Sequence, residues 1–189
     1  MVVSEQDEED LLASLSEPTR FTAVFERHII EIHKYLSYRV GADLADDLAA
    51  ETFLRAFNGR RNFDSSKGSV TAWLFGIATN LVRHHRRDEQ RRLRLDRKIA
   101  LGESSHRANE DFVDQVVRRS DLDLAIARLD RRSRDVVLLV AGAGLTYGQA
   151  AAALKIPVGT VRSRLSRARS QVRLGGGETG PLSKGADPR

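Results

Sequence analysis

Apolar positions recur along this chain at helical spacing, and no stretch reads as a convincing strand. Phe21–Val40 sets Phe21, Val24, Phe25, Ile29, Ile32, Tyr35 and Leu36 on one broad side, and Gly41 ends that helix. Asp43–Asn58 predicts a second helix, with Asp43 as its cap. Ala49, Ala50, Phe53, Ala56 and Phe57 share one side of it; Leu44, Leu48, Glu51 and Arg55 share the other. Two leucines beside charges fit either a protein-docking face or a second core contact. After a polar loop, Gly59–Ser69, a third helix begins at Val70 and runs to about Arg87 or a little beyond. Val70, Trp73, Leu74, Ile77, Ala78 and Leu81 form its core stripe. Gly76, Asn80, Arg83 and Arg87 follow a different face. An amide, two arginines and a glycine that permits close approach suit a single-stranded nucleic acid as well as a solvated basic face.

The pattern then lapses. Arg91–Arg119 is charged, poor in aromatics and weakly periodic, which predicts a flexible linker between two small helical domains. Periodicity returns near Ser120 with Leu122, Ala125, Ile126 and Leu129. Ser133 is placed to cap a helix carrying Val136, Val137, Leu139 and Val140, which Gly142 and Gly144 stop. Leu145–Arg173 then reads as two short helices joined by a tight turn. Thr146 and Gln149 have capping-box spacing, and Ala150, Ala151 and Leu154 make a compact apolar face. Lys155 and Ile156 carry the turn, and Pro157 fits the first turn of the next helix. There Val161, Leu165, Ala168 and Val172 share a buried stripe, while Arg162, Ser163, Ser166, Arg167, Ser170 and Arg173 lie opposite. No acid falls between Pro157 and Arg173. A capped helix, a tight turn and a basic second helix suit major-groove DNA recognition; a basic amphipathic helix packed on its own domain is the plainer alternative.

Charge sharpens this picture. The net charge is +5 over 189 residues, and the isoelectric point is near 10.0, which favours an anionic partner. The basic residues gather in Arg83–Lys98 and Arg162–Arg173, consistent with two separate nucleic-acid contacts. Met1–Thr19 is acidic, without Lys or Arg, and predicts a mobile N-terminal tail; Gly175–Arg189 predicts a disordered C-terminal one. The intervening units are 20–90 and 120–174, separated by the linker 91–119. There is no cysteine, which excludes disulfides and cysteine-ligated zinc. The N-terminus does not resemble a signal peptide, and the apolar run Val136–Ala141 falls far short of the roughly 20 residues that span a bilayer. The expectation is a cytoplasmic protein without membrane insertion. His28 and His33 have no assigned role, and no metal or other cofactor is expected.

The two halves together resemble the extracytoplasmic-function (ECF) group of bacterial sigma factors. DLADDLAAETFLRAF (43–57) and TAWLFGIATNLVRHHRR (71–87) are similar to the second conserved region; ARLDRRSRDVVLLV (127–140) and GLTYGQAAAALKIPVGTVRSRLSRAR (144–169) are similar to the fourth. The resemblance implies an alternative sigma factor that binds core RNA polymerase through its β′ clamp helices and β subunit, and that catalyses no bond change itself. By position, Asp47, Glu51 and Leu54 would dock on the clamp helices; Ala50 stands where the usual pattern has glutamine. Phe63, Asp64, Ser65, Ser66 and Lys67 would form a pocket for a base flipped from the −10 element. Asn80 would read that single strand, and Arg83 and Arg87 would hold its phosphates. Arg162, Ser163, Ser166 and Arg167 would enter the major groove of the −35 element of promoter DNA, with Ser166 where some members carry a bulkier side chain. An anti-sigma protein is a further partner the resemblance implies.

Two other readings compete. A stand-alone helix-turn-helix transcription regulator explains Leu145–Arg173 but leaves WLFGIATN and its following arginines unexplained. A nucleic-acid-processing enzyme would use His84, His85 and the Asp46/Asp47 pair, but no metal-ligand spacing supports it.

Overall fold

The computed structural model describes residues 2–100 and 121–175, and these are helical with no strand among them. Eight helices are described: α1 (Val2–Ala13), α2 (Phe21–Val40), α3 (Ala42–Gly59), α4 (Val70–Ala100), α5 (Asp121–Arg128), α6 (Arg131–Val137), α7 (Tyr147–Leu154) and α8 (Val158–Gly175). The first four make one unit and the last four a second.

In the first unit α2 and α3 run antiparallel across α4. Gly41 separates α2 from α3 with φ 86° and ψ 167°, a conformation suited to glycine. The chain thus enters α3 at Ala42, so Asp43 lies in the first turn instead of capping it, where its charge still suits the helix N-terminus. Ile32 and Leu36 of α2 and Leu74, Phe75, Ala78 and Val82 of α4 are completely buried. Three edge-on ring pairs tie the layers: Tyr35 with Phe75 at 5.3 Å, Phe21 with Phe57 at 5.3 Å, and Phe25 with Phe53 at 4.8 Å.

The acidic N-terminus departs from the mobile tail expected of it. Val2–Ala13 is helical, and it is fixed by charge as much as by Leu11. Asp7 Oδ1 meets Arg27 Nε at 2.7 Å, Asp7 Oδ2 meets His28 Nε2 at 2.7 Å, and Asp10 Oδ2 meets Arg27 Nη2 at 2.7 Å. Composition alone reads such a segment as solvated; the partners 17 to 21 residues away overturn that. Burial pushes the Asp7 carboxyl up, but hydrogen bonds and charge from His28 and Arg27 outweigh it and hold it below its ordinary value.

Helix α4 is longer than its core stripe suggested. It continues through Arg91–Ala100, so this part of the expected linker is helical. Residues 101–120 and 176–189 lie outside the described residues, and so do the rest of that linker and almost all of the expected C-terminal tail.

In the second unit, the capping residue of α6 is Asp130 and not Ser133. Its carboxylate accepts the backbone N–H groups of Arg132 and Ser133, each at 3.0 Å. Past Val137 the helix widens into a single π turn, Leu138–Gly142, and Gly144 at φ 66° turns the chain. The expected capping box is formed: Thr146 Oγ1 accepts Gln149 N–H at 3.2 Å and Gln149 Oε1 accepts Thr146 N–H at 2.9 Å. Lys155 adopts a left-handed conformation, φ 54° and ψ 49°, to make the tight turn. Val161, Leu165 and Ala168 of α8 are buried.

Two stability predictions follow from these layers. Phe75→Ala should cost about 3–5 kcal/mol in denaturant unfolding, because a large ring leaves a closed core. Asp7→Asn should cost about 3 kcal/mol at neutral pH, since it removes the buried carboxylate that bonds His28 and leaves half-buried Arg27 with Asp10 alone. A carboxylate held below its ordinary value contributes fully above about pH 4 and loses that contribution as pH falls through its folded value. The gap between Asp7→Asn and the parent should therefore close in acid; a gap that stayed constant with pH would refute this role of the charge.

Candidate nucleic-acid interface

The loop between α3 and α4 is built around Asp64. Its Oδ1 accepts the Ser66 backbone N–H at 3.1 Å and the Ser66 hydroxyl at 2.6 Å, while Oδ2 pairs with Lys67 Nζ at 2.8 Å. These contacts, Lys67 first, draw the Asp64 carboxyl down to about 2. Gly68, at φ 145°, releases the chain into α4. Ser69 then caps that helix, its Oγ accepting Ala72 N–H at 3.2 Å. Phe63 folds back beside Trp73, with ring centroids 5.3 Å apart and planes 56° apart.

A cleft of about 290 Å³ opens between this loop and α4. Phe63, Asp64, Lys67, Trp73 and Asn80 line it, so four of the eight residues expected to meet a single strand share one concavity, joined by Trp73. Ser65 and Ser66 sit exposed on the loop. Arg87 is exposed one turn beyond Arg83. An aromatic pair, an amide and an ammonium group provide stacking, base-edge bonding and phosphate attraction. Arg83 is not free for a phosphate here: its Nη2 donates to the Leu154 carbonyl at the end of α7.

The basic helix α8 presents a clean division. Val161 and Leu165 are buried, and Arg162, Ser163, Ser166 and Arg167 are all exposed on the other side. Ser163 Oγ donates to the Thr160 carbonyl at 3.1 Å, holding a short side chain close to the helix. Nothing in the first unit covers these four residues.

On α3, Asp47 is exposed and Leu54 is 55% exposed, while Glu51 holds Arg55 at 2.6 Å. The docking face drawn through Leu44 and Leu48 does not hold: Leu48 is buried and Leu44 packs on the core. Their spacing is that of a second core contact, and Leu54 is the apolar residue offered to solvent. Asp46 is engaged by His33 at 2.8 Å. Among the described residues no group of three or more His, Asp or Glu could hold a metal ion, and no helix is long and apolar enough to cross a membrane.

Sequence reasoning missed one feature, the seam between the two units. Helix α7 packs on α4 at the cleft, where Ala152 and Ala153 close one side. A Cβ placed on Gly76 would lie 3.9 Å from Ala153 Cα, so the two helices meet with almost nothing between them. Gln149 Nε2 donates to Ser69 Oγ at 2.9 Å. Farther along the seam, Arg39 Nη1 of α2 meets Asp135 Oδ1 of α6 at 2.7 Å, with only 3% and 14% of the two side chains exposed. Arg86 Nη2 donates to the Arg39 carbonyl at 2.6 Å. Burial lowers the Arg86 guanidinium to about 10, reinforced by Arg39 and Arg131. Burial also raises the Asp135 carboxyl, against the pull of Arg39, Arg86, Arg131 and Arg134. Nothing local in the sequence signals a pairing of residues 39 and 135.

Comparison with known proteins agrees with both units. The model of sigma-70 region 2 matches residues 24–92, and that of sigma-70 region 4 matches residues 119–172. The ECF RNA polymerase sigma factor SigC of Mycobacterium tuberculosis is 35% identical over 144 residues, covering 74% of this chain and 74% of its own. SigW of Bacillus subtilis is 30% identical over 160 residues, covering 77% and 85%. Among solved structures, CnrH in complex with the cytosolic domain of CnrY is 25% identical, with a TM-score of 0.63 over 89% of this chain and 96% of that one. Bartonella quintana RpoE, in complex with the anti-sigma factor NepR, shares the fold with a TM-score of 0.65 at 24% identity, over 82% and 94%. With region 2 built around α4 and region 4 ending in the helix-turn-helix of α7 and α8, the chain belongs to the ECF sigma factors of the sigma-70 family.

Proposed function

We propose that this ECF sigma factor divides promoter recognition between its two units, reading the −35 element as duplex and the −10 element as a melted strand. The observation that carries the first half is the row of exposed Arg162, Ser163, Ser166 and Arg167 opposite a buried stripe. Arginines there bond phosphates or guanine edges, and serines adapt to either. The cleft of Phe63, Asp64, Lys67 and Asn80 supports the second half. Melting costs roughly 1.4 kcal/mol per base step, and capture of an unstacked base in a fitted pocket offsets a few kcal/mol of that. Ser65 and Ser66 shape the loop, and Arg83 and Arg87 supply phosphate contacts once Arg83 leaves Leu154.

Core RNA polymerase docks on α3 through Asp47, Glu51 and Leu54, an acidic edge around one exposed leucine. Binding uses the β′ clamp helices for this face and the β subunit for the second unit. An anti-sigma protein is the expected antagonist, by analogy with CnrH, whose structure holds the cytosolic domain of CnrY. The chain regulates where the polymerase starts and performs no bond chemistry of its own.

Run-off transcription with core polymerase on genomic fragments tests this division. Wild-type protein should give discrete new transcripts. Glu51→Lys should abolish them together with core binding. Arg167→Ala should weaken them about tenfold or more, the cost of one lost base-edge or phosphate contact being about 1–3 kcal/mol. Asn80→Ala should leave core binding intact and reduce only the opening of the −10 region, read by permanganate reactivity of unpaired thymines. Transcripts indifferent to all three substitutions would overturn the assignment.

A further inference from the structure

The chain leaves α3 and enters the cleft loop through one clamped residue, Arg60. Its backbone N–H and its Nη1 both donate to the Phe57 carbonyl, an acceptor left over at the end of α3. The guanidinium lies over the Phe57 ring, 3.8 Å from its centroid, and its charge suits a helix C-terminus. Its Nε turns the other way and donates to the Ser14 carbonyl at 3.3 Å. The planar guanidinium fork holds both carbonyls in fixed directions. Phe63 N–H donates to the Arg60 carbonyl at 3.3 Å and closes the single 3-10 turn Arg60–Asn62. Asn62 and Phe63 then line the cleft. Gly59, just before Arg60, lies against Trp73: a Cβ there would stand 3.8 Å from its Cζ2. Arg60 therefore sits between the residues that meet both rings of the cleft.

The far end of the clamp is equally fixed. Ser14 is buried; its N–H donates to the Asp10 carbonyl at 3.0 Å and its hydroxyl to the Leu11 carbonyl at 2.5 Å, so its own carbonyl is aimed from the end of α1. The place of α1 is set in turn by buried Leu11 and by Asp7 and Asp10 on Arg27 and His28. Helix α1 also precedes the residues 24–92 that match sigma-70 region 2. An unbroken run of contacts thus leads from the acidic segment through Ser14 and Arg60 to the loop that carries Phe63 and Asp64. None of the residues that line the cleft belongs to α1, so its influence on a bound strand has to pass through others.

We propose that Arg60 is a positioning residue for the −10 strand and that it takes its place from the N-terminal helix: α1 holds the cleft loop in its strand-binding form through the Ser14–Arg60 bond. With the clamp released, the loop samples other exits from α3, and only the fraction of molecules with the fitted cleft captures an unstacked base. The exposed face of α8 lies in the second unit, and the Asp47–Leu54 face lies earlier on α3, so duplex binding and polymerase docking do not pass through the clamp. This rests on the assignment of the −10 strand to the cleft.

The test uses the full chain with core polymerase on a genomic fragment that yields a run-off transcript. Promoter binding is read by footprinting, and opening by permanganate reactivity of unpaired thymines. Arg60→Met keeps a stem over Phe57 and removes both carbonyl bonds of the guanidinium. It should leave core and closed-promoter binding intact and lower opening about tenfold, as expected if the fitted loop falls to about one-tenth of molecules. Arg60→Lys keeps a charged donor and should recover part of that loss. Asp7→Asn, which loosens α1 without touching the loop, should lower opening in the same direction. Added to Arg60→Met it should do little more, because both act on one run of contacts. Circular dichroism sets the assay temperature below the unfolding of every variant, so that folded proteins are compared. Normal opening by Arg60→Met would overturn the positioning role. Losses that multiply in the double variant would overturn the coupling to α1. Loss of core binding along with opening would mark a general defect of region 2 and overturn the proposal as well. Asn80→Ala on the same fragment separates the two assignments: if it too opens normally, the −10 assignment falls with the clamp, and if it fails to open where Arg60→Met succeeds, the clamp alone falls.

Discussion

Helix α4 has to satisfy two partners with one surface. Leu74, Phe75, Ala78 and Val82 are spent on α2 and α3 and cannot be altered without opening the core. The adjoining face carries Gly76, Asn80 and Arg83, and it is narrow and smooth because Gly76 has no side chain. A backbone can approach such a face closely, whether it belongs to a nucleic acid or to another helix. Because the core pins α4, everything placed along its second face is held in a fixed order: the loop cap at Ser69, the aromatic pair at Trp73, the amide at Asn80, then the arginines. The cleft inherits its shape from this rigid helix and from the Asp64 turn, so its side chains are ordered before any ligand arrives.

The buried ion pairs differ in how well they are hydrogen-bonded. Asp7 and Asp10 engage Arg27 and His28 through aligned bonds, and they make the acidic segment part of region 2. The buried Arg39–Asp135 pair joins two units through one contact that lacks such alignment. The basic groups proposed for DNA contact differ in their partners as well. Those on α8 project into solvent, whereas Arg83 is drawn onto a carbonyl of α7.

Much of this was legible in the sequence, because helical periodicity, a capping box and a basic face are local signals. In the helix-turn-helix the buried Val161, Leu165 and Ala168 and the bonds between Thr146 and Gln149 were readable, whereas Val172 is only partly buried and the second helix begins at Val158, just after Pro157. Errors arose where a long-range partner decides the outcome. Composition makes residues 2–13 a solvated tail, and Arg27 and His28 together with the burial of Leu11 make them a packed helix. Leu48 carries the spacing of a docking residue and of a core residue alike, and the packing of α2 on α3 selects the second. Ser133 and Asp43 are good capping residues displaced by neighbours, Asp130 and Gly41, that meet the chain at better geometry. The seam at Arg39, Asp135, Ser69 and Gln149 has no local signature, since each half is an ordinary surface residue until the two units meet.

The central claim is that the two units read one promoter in two ways, α8 as duplex and the α4 cleft as a melted strand. The most direct measurement follows promoter binding and strand opening separately, in complexes of core polymerase with wild-type protein, Arg167→Ala or Asn80→Ala. The account predicts that Arg167→Ala weakens binding of the closed promoter, whereas Asn80→Ala keeps that binding and loses opening. Opening that is indifferent to Asn80→Ala would contradict it.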